Sequence, residues 1–214
     1  AQEIQAPAVE VSSEWLAVGH IDEIFLFLKR NDGNGSPWVV AIASPTLARQ
    51  RLQQAFNAGY GEAPVFEGRG EYETTVESLL FDEYLMGFND LAQARIDSIQ
   101  AVLQEAFNLS DSDFVEVPVL FENYNGSGQA VALNPGVQNL ISADSVLFVP
   151  DPEGPVINGQ DLWQSATSNA LEPLGYEIRF VDVFYSYHVL MGEAHCGSNF
   201  ERAPSTLSWW EEEE

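Results

Sequence analysis

The feature that most restricts the fold is an order of short apolar runs and capped helical segments that occurs twice along the chain. In residues 15–70, strand-length apolar runs precede a helix signal, and residues 129–185 have the same order without sequence identity. Strands and helices that alternate pack in layers, because each sheet face and each helix stripe must bury its apolar side. The sequence therefore predicts a mixed α/β (α+β) layered fold with an internal structural repeat.

The first elements are predicted from apolar runs and from one strong helix cap. Ser44 at the N-cap and Pro45 at the first helical position predict a helix that ends at Gly59. Apolar runs of strand length are a second signal, and the turn-like residues between them separate the strands. These runs lie at 14–18, 24–28, 38–43, 114–121, 130–133, 137–141 and 146–150.

Further helices are predicted in the middle of the chain and near its end. Helical spacing between Glu71 and Asn108 indicates one long amphipathic helix or two consecutive ones, with a break at 87–89. Asp161 is a suitable N-cap for a helix that stops at Gly175. The apolar stripe of the long segment consists of Leu91, Ile96, Ile99, Val102, Leu103 and Phe107.

The charge balance excludes some classes of partner. The 214 residues include 33 Asp and Glu against 8 Lys and Arg, a formal net charge of -25. Binding to a phosphate backbone needs clustered Lys and Arg, and anionic lipid would be repelled by the same negative field. We therefore expect neither nucleic acid nor a membrane as a partner, whereas cationic ligands would be attracted.

The single cysteine, Cys196, is the one candidate for thiol chemistry. It excludes a disulfide within the chain and a zinc site made of cysteines alone. A lone cysteine is most often an inert, buried small hydrophobe. Here it stands between His195 and Gly197, where a glycine allows a ligand to come close. In an extended backbone His195 and Cys196 would point to opposite faces, so a more distant histidine is the better candidate for its base.

The segment GHIDE at 19–23 supplies such a histidine. In an extended backbone, His20 and Asp22 project to the same face, which would place a proton carrier beside a carboxylate. An ordinary surface turn with a His-x-Asp hydrogen bond is the more common interpretation of such a pattern. Glu193, in a turn after Gly192, is expected to be a solvated carboxylate.

Six segments, taken in order, carry a resemblance to a known family. They are WLAVGHIDE at 15–23, ASPTLARQ at 43–50, GEAPVFEG at 61–68, GPVING at 154–159, LEPLG at 171–175 and YHVLMGEAHCGSN at 187–199. In this order they resemble the C-terminal part of the protein-arginine deiminases, whose aromatic ending LSWW at 207–210 also matches. The similarity extends from about Gln5 to Trp210.

The resemblance implies a pentein fold, an α/β-propeller in which ββαβ modules surround a central active site. Residues 1–214 would form the C-terminal portion of a single pentein catalytic domain, and the propeller would be incomplete in this chain. An open ring exposes sheet edges, which is unfavourable. We therefore expect the N-terminal modules on another chain of the same processed precursor, or their removal.

The resemblance also implies an activity: hydrolysis of arginine side chains in proteins and peptides to citrulline and ammonia, a reaction at the C–N bond of a linear amidine. Cys196 would be the nucleophile that forms a thiouronium intermediate, and His20 would be the general acid and base. Asp22 would be the catalytic carboxylate that binds the substrate guanidinium. A second such Asp and most ligands of the family's Ca²⁺ ions would lie upstream, and we expect no metal ligand in this chain.

One segment departs from the animal members of the family. Leu190 and Met191 stand where those proteins carry an Arg that binds the substrate backbone, so we expect no recognition of that kind. Acidic residues also replace the basic surface segments of the animal enzymes. With three N-x-S/T sequons, at Asn34, Asn108 and Asn125, these features predict a secreted, glycosylated fungal or microbial protein.

Two other functions use the same residues or the same fold. A related guanidino-group enzyme, such as a free-arginine deiminase or an amidinotransferase, would use the same cysteine, histidine and aspartate. It would act on free arginine but not on blocked peptidyl arginine. A non-catalytic acidic binding protein would form no citrulline from any substrate.

Overall fold

The computed structural model describes residues 8–30, 33 and 36–201. The predicted aromatic ending at 207–210 and the sequon residue Asn34 lie outside the described residues. Within them the chain forms four α-helices and twelve β-strands. The helices are α1 Pro45–Asn57, α2 Val76–Leu80, α3 Glu83–Phe107 and α4 Leu162–Leu171.

The strands are short and alternate with these helices. The first six are β1 Phe25–Lys29, β2 Trp38–Ser44, β3 Pro64–Val65, β4 Thr74–Thr75, β5 Phe114–Pro118 and β6 Phe121–Asn123. The last six are β7 Ala130–Ala132, β8 Ile141–Ala143, β9 Val146–Pro150, β10 Val156–Ile157, β11 Gln160–Asp161 and β12 Glu177–Val181. The predicted strand at 114–121 is therefore divided into β5 and β6.

Two three-stranded sheets have the same topology. In the first, β1 and β2 form an antiparallel pair and β5 pairs with β2 in parallel. In the second, β8 and β9 are antiparallel and β12 pairs with β9 in parallel. A parallel pair requires a crossover, which α1 to α3 supply in the first unit and α4 in the second. Both units are therefore ββαβ modules, which confirms the mixed α/β fold.

The repeat has different bounds from those predicted. The first module closes with β5, well beyond residue 70, because the β3–β4 hairpin and helices α2 and α3 are inserted after α1. The sheets of the described residues have two or three strands each, and none of them closes on itself. The pentein propeller therefore stays a prediction.

Side-chain caps account for where the helices begin. Ser44 Oγ accepts the N–H of Leu47 at 3.0 Å, which confirms the predicted start of α1. The predicted cap Asp161 likewise accepts the N–H groups of Trp163 and Gln164 at the start of α4. The segment from 71 to 108 contains two helices, but the break lies at 81–82 and not at 87–89. One glycine costs a helix only about 1 kcal/mol, so the long α3 continues through Gly87.

The buried face of α3 differs in part from the predicted stripe. Ile96, Ile99 and Leu103 are buried as predicted. Leu91 and Val102 are 59% and 39% exposed, because the face that meets the sheet follows the spacing 92, 96, 99, 103 and leaves these two at its flanks. None of the helices in the described part of the chain has the length and apolar content needed to cross a bilayer.

The predicted strand at 14–18 is wrong. The backbone there forms a turn, and a single isolated bridge joins Leu16 to Ala130. Its apolar residues are nevertheless in the core: Trp15 packs edge-on against Phe121, with ring centroids 5.4 Å apart. An apolar run of this length is compatible with burial in any backbone conformation, which is why it does not specify a strand.

Asn89 connects α3 to β6 through buried hydrogen bonds. Its side chain is 2% exposed. Its Nδ2 donates to the carbonyl oxygens of Leu85 and Phe121 at 2.9 and 2.8 Å, and its Oδ1 accepts the N–H of Phe121 at 2.8 Å. The Asn89 amide thus takes the place of a neighbouring strand for the backbone of Phe121.

We expect Asn89→Ala to lower the free energy of unfolding by about 2–4 kcal/mol, since it leaves a buried N–H and a buried C=O of Phe121 unpaired. Urea unfolding of the full-length protein measures the change. The control is Asp97→Ala, which removes an exposed hydrogen bond with Gln93 on the same helix and should change the stability by less than about 0.5 kcal/mol. Equal losses in both variants would contradict this account.

Candidate active site

The structure brings two of the three predicted site residues into contact. Cys196 lies in the turn 194–197 that follows β12, and Asp22 lies in the turn that precedes β1. Asp22 Oδ2 is 3.8 Å from Cys196 Sγ. His20 is on the same turn as Asp22 but exposed, and within the described residues no side-chain hydrogen bond joins it to Cys196. The site is therefore assembled by two loops that are far apart in sequence.

The extended geometry predicted for His20 and Asp22 is wrong. His20 itself is extended, with φ -93° and ψ 144°, but Ile21–Glu23 forms a 3₁₀ turn. Glu23 closes this turn by accepting the backbone N–H of His20 at 2.6 Å. A side chain that caps the turn in this way favours it over a strand. Because the backbone turns, His20 and Asp22 do not share a strand face.

His195 is the hydrogen-bond partner of Asp22. The distance between His195 Nδ1 and Asp22 Oδ2 is 2.7 Å, so Oδ2 lies close to both the imidazole and the thiol. The extended geometry assumed for His195 and Cys196 is wrong as well, because 194–197 is a turn. The other oxygen, Asp22 Oδ1, is buried and has no hydrogen-bond partner among the described residues.

Cys196 borders a cavity of about 290 Å³ whose polar groups are mainly hydrogen-bond acceptors. Carboxylates and amides provide these acceptors, and aromatic rings cover other parts of the wall. Acceptors together with aromatic faces suit a flat cation such as a guanidinium. His20 and Asp22 line a separate, shallower depression next to it. The acceptor residues of the cavity are Glu23, Glu122, Gln138 and Glu193, and its rings include Phe66, Tyr72, Tyr124 and Phe184.

Glu193 is not the solvated carboxylate that the sequence predicted. It is 8% exposed, and its Oε1 lies 2.7 Å from His188 Nδ1. The other ring nitrogen, His188 Nε2, lies 3.2 Å from the carbonyl oxygen of Leu133. Both nitrogens of the ring thus face acceptors at the edge of the cavity, namely Glu193 Oε1 and the carbonyl oxygen of Leu133.

The sequence reasoning did not identify Asn139, which has the most contacts in the site. The segment 137–141 was predicted as a strand, but residues 137–140 form a turn and only Ile141 belongs to β8. Asn139 is 1% exposed, and its Nδ2 lies 3.3 Å from Cys196 Sγ. Its neighbour Gln138 donates to the carbonyl oxygen of Glu23 at 2.5 Å. Two adjacent amides inside an apolar run were the signal that could have indicated this role.

Gly197 has a packing role next to the cysteine. A side chain at this position would overlap the ring of Tyr187, because a Cβ there would fall inside contact distance of three ring atoms. The glycine therefore lets Tyr187 lie against the backbone of the turn that carries Cys196. The approach of a ligand to this glycine, which the sequence suggested, is blocked by the tyrosine on the side where a Cβ would point.

The surroundings of Cys196 disfavour its thiolate. Partial loss of water around the sulfur raises the pKa of the Cys196 thiol, and the nearby carboxylates of Asp22 and Glu193 raise it further. A backbone hydrogen bond from Glu193 and the side-chain amide of Asn139 act in the opposite direction. The raised pKa means that at neutral pH the free site contains mostly thiol. A cationic ligand would shift this balance towards the thiolate.

We expect Glu193→Gln to lower the pKa of Cys196, because it removes one of the negative charges that raise it. The rate at which iodoacetamide alkylates Cys196, followed by mass spectrometry from pH 6 to 10, gives the midpoint of thiolate formation. This midpoint should move to lower pH. Glu177→Gln, an exposed carboxylate paired with Arg179, is the control and should leave the midpoint unchanged. An unchanged midpoint in Glu193→Gln would contradict the assignment.

The described part of the chain does not fit a calcium site. Among residues 8–30, 33 and 36–201, no group of three or more His, Cys, Asp or Glu side chains is placed so that it could hold a metal ion. No catalytic step is therefore assigned to a metal held by these residues.

Comparisons with known proteins agree with the ordered segments. A family model described as Protein-arginine deiminase (PAD) matches residues 1–211. The chain is 36% identical over 213 residues to Protein-arginine deiminase type-4 of Mus musculus and 37% identical over 211 residues to type-1 of Homo sapiens. Each match covers 98% of this chain, and 32% and 31% of the relatives. The chain thus spans about a third of the length of the curated relatives it matches, and it belongs to the protein-arginine deiminase family.

Proposed function

We propose that this chain supplies the nucleophile and one guanidinium-binding carboxylate of an enzyme that converts arginine in proteins and peptides to citrulline and ammonia. The observation that carries the proposal is the 3.8 Å distance between Asp22 Oδ2 and Cys196 Sγ beside a cavity lined by acceptors. The matched relatives are named protein-arginine deiminases, which supports this reaction over other thiol chemistry.

Binding of the substrate would depend on unpaired acceptors. The guanidinium group is planar and cationic, and a carboxylate that accepts two of its N–H groups fixes both its position and its plane. Asp22 Oδ1 is buried and unpaired, so a substrate N–H would satisfy it once the loops move to uncover this oxygen. The net charge of -25 would attract arginine-bearing substrates from a distance. A second carboxylate, which the family resemblance implies, would come from residues outside these 214.

The first half of the reaction would form a carbon–sulfur bond and release ammonia. The Cys196 thiolate attacks the guanidinium carbon, whose π electrons move onto nitrogen to give a tetrahedral adduct. His20 donates a proton to one terminal nitrogen, the C–N bond breaks, and ammonia leaves. The product of this step is an S-alkylthiouronium group on Cys196. His20 is exposed without substrate, and its hydrogen bond to the reacting nitrogen would form only in the complex.

The second half would hydrolyse this intermediate. The now neutral His20 takes a proton from a water molecule, whose oxygen attacks the same carbon. The carbon–sulfur bond breaks, the thiolate leaves, and the carbon retains a carbonyl oxygen from water, which gives citrulline. As the carbonyl forms, the remaining hydroxyl proton passes to solvent, and His20 stays protonated for the next turnover. The cycle therefore consumes one water and releases one ammonia for each arginine.

A free-arginine deiminase is a second candidate, and one observation favours it. Leu190 is 73% exposed and Met191 lines the cavity, so the segment just before Cys196 presents apolar side chains to a substrate instead of a cation. A peptide carbonyl would find no charged donor in this pair. An enzyme for free arginine binds no peptide carbonyl and does not need that contact.

Citrulline release from an Nα-acyl arginine amide and from free arginine distinguishes these candidates. We expect the full-length protein to act on the blocked substrate. Activity on free arginine alone would support the second candidate, and no citrulline from either substrate would support an acidic binding protein. The assay is run with calcium and with a chelator, because a calcium requirement is implied by the family resemblance and stays a prediction.

Secretion and glycosylation are also proposed. The two sequon asparagines in the described residues, Asn108 and Asn125, are both exposed and lie at a helix end and in a loop, where a glycan would be tolerated. Their exposure supports modification but is common for asparagine. Mass spectrometry of the protein from the culture medium of its source, before and after removal of N-glycans, would test both proposals.

A further inference from the structure

Asn139 joins the two loops of the candidate site through five contacts. Its Nδ2 lies 3.3 Å from Cys196 Sγ and 3.3 Å from the carbonyl oxygen of Asp22. Its Oδ1 accepts the backbone N–H groups of His195 and Cys196 at 3.1 and 3.2 Å. Its own carbonyl oxygen also accepts the N–H of His195, at 3.1 Å. The side chain is 57 residues away from the cysteine in sequence and is nearly inaccessible to water.

These contacts fix the orientation of the amide. An asparagine side chain has one acceptor end and one donor end. Two backbone N–H groups meet the first end, and the carbonyl oxygen of Asp22 meets the second. In the reversed orientation the NH₂ group would face the two backbone N–H groups, and the amide oxygen would face the carbonyl oxygen of Asp22, so three of these contacts would be repulsive. The NH₂ group is therefore the end that faces the sulfur.

We propose that Asn139 is a positioning residue for the Cys196 thiolate: its NH₂ group donates a hydrogen bond to Sγ, while its Oδ1 holds the backbone that carries the cysteine. An N–H group that donates to an anion stabilises it more than it stabilises the neutral thiol. The inference rests on the proposed function for its role in turnover. Its effect on the thiol itself does not depend on the reaction.

The charges around Cys196 explain why such a donor is needed. The carboxylates near the sulfur oppose its ionisation, and two of them are in hydrogen-bond contact with histidines. Asn139 supplies a fixed dipole that acts against this negative field without adding a titratable group. The groups concerned are Asp22 with His195, Glu193 with His188, and Glu23 and Glu122 on the cavity wall.

The test measures thiolate formation directly. In the full-length protein, the alkylation rate of Cys196 by iodoacetamide is followed by mass spectrometry from pH 6 to about pH 12. We expect Asn139→Ala to move the midpoint up by about one pH unit, which is a roughly tenfold loss of thiolate at pH 7. Asn139→Asp keeps the acceptor and places a negative charge in the donor position, so its midpoint should move further. The plateau rate at high pH should change little in either variant.

Asn134 provides a matched control. Like Asn139, it is buried in the connection between β7 and β8, but its amide binds only backbone groups of Leu120, Pro118 and Pro135. Asn134→Ala and Asn134→Asp should leave the alkylation midpoint where it is in the unsubstituted protein. A midpoint that does not move in folded Asn139→Ala would overturn the proposal, as would an equal shift in the Asn134 variants. If both Asn139 variants unfold while the Asn134 variants fold, the residue serves the fold and the proposal is wrong.

Citrulline formation and the alkylation profile together distinguish a failure of this inference from a failure of the proposed function. Failure of the proposed function would appear as absence of citrulline in the unsubstituted protein, whatever the alkylation profile. If citrulline is formed, Asn139→Ala should lower kcat about tenfold at pH 7 and leave KM within about twofold, since the amide contacts the sulfur and not the substrate. A rise in KM with unchanged kcat would contradict a role at the thiolate.

Discussion

Cys196→Ser should abolish citrulline formation, with a loss of at least about 10⁴-fold in kcat/KM. A serine hydroxyl is a much weaker nucleophile than a thiolate, and within residues 8–30, 33 and 36–201 no histidine side chain hydrogen-bonds to Cys196. The fold should be unaffected, because Cys196 is exposed and the substitution replaces only one atom. Citrulline assays, with thermal unfolding of the same samples, measure both quantities.

The control for this substitution is Ser198→Ala in the same loop. Ser198 Oγ donates to the carbonyl oxygen of His195 at 3.0 Å and does not contact the sulfur. This variant should retain activity within about threefold. If Cys196→Ser still forms citrulline at a comparable rate, then the nucleophile is a different residue and the assignment of the site is wrong.

Asp22→Asn should lower kcat/KM by about 10²- to 10³-fold, because it removes a charged acceptor for the guanidinium. The same substitution should make Cys196 easier to ionise. Burial raises the pKa of the thiol first, and the Asp22 charge adds to this, so its removal lowers the pKa. The expected result is thus an unusual combination: a thiol that is alkylated faster at neutral pH in an enzyme that turns over far more slowly.

Both measurements are needed to interpret Asp22→Asn. A merely structural carboxylate would lower activity and thiol reactivity together, as the site loosened. The control is Asp90→Asn, which removes an exposed charge of α3 that is paired with Arg49 of α1. It should change neither kcat/KM nor the alkylation rate by more than about twofold. If Asp22→Asn retains full activity on a blocked arginine substrate, the carboxylate does not bind the guanidinium.

Much of the fold was predictable because its signals are local. Ser44 and Asp161 begin their helices as expected, since a cap depends on residues only two or three positions away. The mixed α/β layers follow from the alternation of strands and helices, whereas the ββαβ modules were implied by the family resemblance. The bounds of the first module were not predictable, because an inserted hairpin and two helices leave the local pattern of each strand unchanged.

The site was predictable only in part, and the reason is distance along the chain. Cys196 and Asp22 stand out by residue type and by their neighbours, but the hydrogen bonds of Asn139 to the cysteine span 57 residues. No local pattern encodes such a contact. Glu193 was misjudged for the same reason: its turn looks solvent-exposed in sequence, while the surrounding structure buries it beside His188.

The net charge of -25 has two opposite consequences for the proposed reaction. It would draw a cationic arginine towards the site, and it would oppose the thiolate that must attack it. The structure contains one local feature that fits this conflict, the amide of Asn139, which lies 3.3 Å from the sulfur. A bound guanidinium would add a positive charge at the place where the sulfur must ionise.

The most direct test of the proposed deimination uses a peptide with blocked termini and one arginine. The full-length protein is incubated with this peptide in water enriched in ¹⁸O. Mass spectrometry of the product decides the outcome. We expect peptidyl citrulline with one heavy oxygen atom, together with released ammonia. The Cys196→Ser variant should give no product. Unchanged peptide in the presence of calcium, or a peptide that has lost its amidino group to leave ornithine, would contradict it.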